Sequence, residues 1–93
     1  MNNQRSLFYI SAKTTNNETV FFVHDSNYGE VIIGFTTEFG LAKIESETYM
    51  KREVTRIKKA VKFQFGSSRF SKEIFINLDS VKLHEVKIIH EET

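Results

Sequence analysis

The side chains whose types permit acid–base or metal chemistry are three histidines, His24, His84 and His90. His24 precedes Asp25, and His84 and His90 precede Glu85 and Glu91. A pre-oriented metal pair needs histidines at i, i+4 on a helix or at a short His-x-His spacing, and neither occurs. The chain has no cysteine, so thiolate metal sites and disulfides are excluded and a reducing compartment is expected. Ser11, His24 and Asp79 supply the residue types of a nucleophile, base and orienting acid, but no spacing brings them together. Gly29, Gly34, Gly40 and Gly66 never fall into GxGxxG or a P-loop. The sequence therefore predicts no catalytic residue, no metal and no cofactor.

The strongest chemical pattern is positive charge. Residues 48–72 hold eight basic residues against Glu53 alone, a balance of +7. Residues 1–47 hold three basic and six acidic residues, and residues 73–93 two basic and five acidic, each giving −3. The total is only +1, so segregation rather than net charge is the signal, and it bears on association. Lys51, Arg52, Arg56, Lys58, Lys59 and Lys62, extended by Arg69 and Lys72, are the candidate binding residues. Arg52 and Arg56, and Lys58 and Lys62, are like-charge i, i+4 pairs on a helix, each costing a few tenths of a kcal/mol. Glu47 with Lys51 and Glu53 with Arg56 compensate in part. Three readings fit: a solvated face, a surface for an acidic protein or nucleoprotein, or a phosphate-contacting surface for nucleic acid. Exposed sheet aromatics would also stack on bases, but no Lys/Arg-Gly-Phe strand is present, and core packing is expected for Phe8, Phe21 or Phe22, Phe35 and Phe75.

These charges sit on an amphipathic helix predicted from Ser46 to about Lys62. Met50, Val54, Ile57 and Val61 recur at spacings of four, three and four, which marks one buried face. Ser46 is the expected N-cap, Glu47 suits the positive end of the dipole, and lysines suit the negative end. Phe63 would fall on the basic side of a longer helix, so the helix should stop near Lys62, with Gly66–Lys72 as a loop.

Strands are expected at Leu7–Lys13, Thr19–Asp25 and Glu30–Phe35, joined by turns at Thr14–Glu18 and Ser26–Gly29. A short helical turn follows over Thr37–Ala42, with Lys43–Glu45 extended. Glu73–Leu78 and Val81–His90 read as two more strands, and apolar parity changes between Leu83 and Val86, which predicts a bulge near His84–Glu85. The fold class expected is α+β: an antiparallel sheet of about five strands with one amphipathic helix packed on one face. Ninety-three residues make one domain, with 1–5 and 91–93 expected to be disordered. No apolar run reaches the roughly 20 residues that span a bilayer, so no membrane association and a cytoplasmic location are expected. Open sheet edges on an aromatic-rich chain this small predict a homodimer.

The order of these elements carries a resemblance. Thr36-Thr37-Glu38, Ala42, Ile44 and Glu45-Ser46-Glu47, followed by the charged helix and the closing VKLHEVKII strand, resemble small α+β accessory proteins of phages and mobile elements. That resemblance implies a non-enzymatic protein that acts by binding, of the host-takeover or anti-CRISPR-like inhibitor kind.

Overall fold

The computed structural model describes residues 4–27, 31–60, 62–65, 68–71 and 76–89. They form six strands, a 3-10 turn and one α-helix: β1 (Gln4–Thr14), β2 (Thr19–Asn27), β3 (Val31–Thr36), η1 (Phe39–Leu41), α1 (Glu47–Lys59), β4 (Lys62–Phe65), β5 (Ser68–Ser71) and β6 (Ile76–Ile89). The strands make one sheet in the order β5-β4-β3-β2-β1-β6, with the helix on one face, as an α+β fold. Every pairing is antiparallel except β3 with β4, which α1 connects as a crossover and which therefore run parallel. No helix among the described residues is long and apolar enough to cross a membrane. Of the segments expected to be disordered, 1–5 and 91–93, residues 1–3 and 91–93 lie outside the described residues, whereas Gln4 and Arg5 begin β1.

The β1–β2 hairpin closes where the asparagines predicted it. Asn17 takes a left-handed φ of 66°, which asparagine tolerates, and its N–H donates to the Thr14 carbonyl at 2.8 Å. Thr14 Oγ1 also accepts from the N–H groups of Asn16 and Glu18. Of the second expected turn, Ser26–Gly29, the first two residues end β2 and the other two lie outside the described residues. The expected helical turn is η1, and the extended piece after it docks on the sheet. Lys43 N–H donates to the Phe22 carbonyl at 2.9 Å, and Glu45 and Phe8 exchange two backbone bonds of 2.8 and 3.1 Å.

Helix α1 begins as expected, with Ser46 Oγ accepting from Tyr49 N–H at 3.3 Å. It ends at Lys59, three residues short of Lys62. Ala60 is extended, and the chain enters β4, where Phe63 is fully buried opposite Ile33 and packs on Phe35 with ring centroids 5.5 Å apart. Burying a Phe side chain contributes on the order of 1.5–3 kcal/mol, more than another helical turn with a solvent-facing Phe63 would.

The buried helix face is also rotated from the expected one. Met50, Glu53 and Ile57 are buried, whereas Val54 is half-buried at the flank and Val61 lies outside the described residues. Met50 and Ile57 join Ile10, Phe22, Ile33 and Phe35 of the sheet in one cluster, so the core lies between helix and sheet. Of the expected core aromatics, Phe22 and Phe35 are buried, Phe8 packs half-buried against them, and Phe75 lies outside the described residues.

Three expectations for the C-terminal half are corrected. The predicted loop contains β5, which pairs with β4 from Phe65↔Ser68 to Lys62↔Ser71. The two final strands are one, β6, within the described residues. The bulge predicted at His84–Glu85 is absent: pairing with β1 is regular from Ser11↔Lys82 to Gln4↔Ile89, and the irregularity lies at Leu78–Val81. There Ser80 Oγ accepts from Lys13 N–H at 2.7 Å and donates to the Asn77 carbonyl at 2.6 Å, which stitches the bulge. Apolar parity changes after Leu83 because both faces carry apolar groups. Leu83 packs on the core, whereas Val86 pairs with Leu7 on the opposite face. That face also carries Tyr9, Phe21, Phe39 and His84, with Tyr9 stacked on His84 and edge-on to Phe39.

Candidate functional site

The basic face is built by helix phase. At about 100° per residue, Lys51, Arg52, Thr55, Lys58 and Lys59 fall within about 120° of arc. All five are exposed, on the side away from Met50 and Ile57. Lys51 pairs with Glu47 one turn earlier at 3.2 Å. The Arg52 guanidinium lies 5.4 Å from the centroid of the Tyr49 ring, a cation–π contact that orients it without neutralising it. Lys43 approaches the same ring at 5.4 Å, so Tyr49 carries two cations at the N-terminal end of the face. Lys58 and Lys59 stand exposed in the last turn, where cations complement the helix dipole.

The remaining sequence-predicted residues divide. Lys62 is exposed, but on β4 rather than on the helix. Lys72 and the side chain of Arg69 lie outside the described residues. Arg56 does not belong to the outer face. Its side chain is one-third exposed and turns toward the sheet, where Nε donates to Asp25 Oδ2 at 2.5 Å.

Arg56 turns inward because two acids are held there. Glu53, the single acid among the eight bases, is only 3% exposed, and its Oε2 has no hydrogen-bond partner. Arg56 Nε is 3.8 Å from that oxygen, close enough for attraction but too long for a hydrogen bond. Burial pushes the Glu53 carboxyl up to about 7. A hydrogen bond with Asp25 and the Asp25 charge push the same way, while Arg56 and Arg52 oppose them. A carboxyl raised to about 7 is only partly ionised at neutral pH, so Glu53 offsets the outer face less than an exposed glutamate would. Sequence spacing contained the signal: Glu53 lies three residues after Met50 and four before Ile57, on the buried face.

Two clefts open elsewhere. One, of about 380 Å³, is lined by Val23, His24, Gly34, Glu38, Leu41 and Gln64 among others, on the face away from the helix. The second, of about 430 Å³, lies along the β1–β6 bulge and gathers Ser11, Lys13, Asp79, Ser80, Lys82 and His84. In it Ser11 Oγ and His84 Nε2 share a hydrogen bond of 2.6 Å across 73 positions of sequence. His24 lines the first cleft, so Ser11, His24 and Asp79 are not brought together. The Ser11–His84 pair has the spacing of a nucleophile and base, and stacking on Tyr9 fixes the imidazole plane. Among the described residues no carboxylate bonds the other ring nitrogen, and no group of three His, Asp or Glu is placed to hold a metal ion. No protein-family model, curated protein or solved structure matches this chain.

Proposed function

We propose that this chain is a small, non-enzymatic binding protein whose exposed helix face engages an acidic surface on a protein or nucleoprotein partner. The observation that carries the reading is the inward turn of Glu53. The acid that would neutralise the helix is buried beside Asp25, while Lys51, Arg52, Lys58 and Lys59 face solvent together. A cluster of cations on a preformed helix raises the rate of encounter with an acidic patch and suppresses approach by basic ones. The resemblance of Thr36–Glu47 to small phage accessory proteins supports an inhibitor-like role for such contact, in the cytoplasm.

Direct phosphate binding by the same residues is separated by mobility shift with duplex and single-stranded DNA across a salt series. Nucleic-acid binding through several phosphates gives a steep linear fall of log affinity with log salt. The proposal expects no such complex at physiological salt, and a retarded band with that slope would replace it with the nucleic-acid reading.

A further inference from the structure

β6 is the last strand in the sheet order and spans 14 residues, with no strand on its outer side among the described residues. A long free edge offers a row of unpaired backbone donors and acceptors. The phase of that row is fixed by a contact on the far side of β1. Phe8 spends both its N–H and its C=O on Glu45, away from β6. In the β1–β6 ladder Phe8 faces Glu85, so this is a non-hydrogen-bonded pair, and the Glu85 N–H and C=O point outward. Alternation then directs the backbone groups of Leu83, Glu85, Lys87 and Ile89 outward, and those of Val86 toward β1.

We propose that β6 pairs antiparallel with β6 of a second copy about a two-fold axis at Val86. An axis perpendicular to the sheet is the one that brings the same edge of two copies together, and it preserves faces. Residues that pair must then share parity, which leaves a short set of registers. Centring on Glu85 or Lys87 sets like charges opposite each other, and centring on His84 sets Glu85 against Leu83 and Lys87 against Val81. Centring on Val86 alone sets Glu85 against the second copy's Lys87 and Lys87 against its Glu85, with Leu83 facing Ile89 on either side. Those four pairs are all hydrogen-bonded, as the backbone phase requires of every register in this set, so the charge pattern is what selects among them. The sequence Glu85-Val86-Lys87 is self-complementary for this symmetry, which is what commits the edge to a second copy rather than to another strand. Because the axis preserves faces, both helices lie on the same side of the joined sheet. A partner with two acidic patches would meet both basic faces. The contact is narrower than a standard interface, so association in the range of about 10–100 µM is expected.

The chain has no cysteine, which makes the test direct. Val86 faces its own copy in a non-hydrogen-bonded pair, where Cα atoms lie about 4.5 Å apart, within the range a disulfide spans. Val86→Cys should oxidise to a disulfide-linked dimer, whereas Lys82→Cys, on the same face but eight register positions from its counterpart, should stay largely monomeric. In sedimentation equilibrium, Lys87→Glu should weaken the dimer about tenfold, and the Glu85→Lys/Lys87→Glu exchange should restore it to within about threefold. A parent protein monomeric at several hundred micromolar overturns the proposal, as does equal oxidation of the two cysteine variants or an exchange that restores nothing. The helix face is untouched in every variant, so these outcomes are independent of the proposed partner surface.

Discussion

Arg56 on the helix and Asp25 on β2 are joined across 31 positions of sequence by an ion pair that ties the helix to the sheet. It lies on the same flank of α1 as the buried Glu53, while Met50 and Ile57 pack on the sheet and Val54 sits at the margin. Arg56→Ala should remove the cation shared by two acids. Both partners are partly solvated, so a loss of about 1–2 kcal/mol is expected in denaturant titration rather than the larger cost of breaking a fully buried pair. Without Arg56 the Glu53 carboxyl should move still further upward, because Arg56 is the strongest group holding it down.

Glu53 predicts a pH dependence of defined sign. Its carboxyl rises from an ordinary 4.5 to about 7 in the folded protein, so the folded state holds this proton more tightly than the unfolded chain does. Its contribution to stability therefore falls as pH rises from about 4.5 to 7 and is flat above. Glu53→Gln keeps a donor toward Asp25 but cannot ionise. The variant should gain stability over the parent across that window, by an amount on the order of 2–3 kcal/mol at pH 8. Parallel urea titrations at pH 4.5, 6 and 8 measure it, and a constant difference across the three would contradict the assignment.

Gly34 predicts a coupling within the sheet. A Cβ at this position would lie 2.7 Å from His24 Nε2 and 2.8 Å from Cε1, closer than such atoms approach. His24 is exposed, so its ring can swing aside. Gly34→Ala should cost about 1 kcal/mol or less in the parent and close to nothing in a His24→Ala background. A double-mutant cycle reads the difference as a coupling between the two positions.

The helix and the first three strands were legible in sequence because their signals are local. Ser46, the Met50–Ile57 spacing and Asn16-Asn17 each act within a few residues. What escaped depends on partners far along the chain. Phe63 joins a strand because Ile33 and Phe35 await it, and Arg56 leaves the outer face because Asp25 does. Ser11 and His84 meet only because β6 returns beside β1. Val86 reads as a bulge signal only under one-faced alternation, whereas the Tyr9–His84–Phe39 cluster gives the second face an apolar demand of its own. Of the candidate basic residues, Lys51, Arg52, Lys58 and Lys59 form one surface, and Lys62 joins the chain beyond it on β4.

The central claim is that the outward helix face holds an acidic partner. It is tested by comparing what the parent and a Lys58→Glu/Lys59→Glu variant retain from nuclease-treated cell lysate, by quantitative mass spectrometry, at about 0.1 and 0.5 M salt. Both lysines are exposed, so the variant should melt within about 1 kcal/mol of the parent, and circular dichroism confirms that it is folded. The account predicts an acidic polypeptide enriched by the parent at low salt, depleted at high salt and lost from the variant. An acidic polypeptide retained equally by both proteins would contradict it.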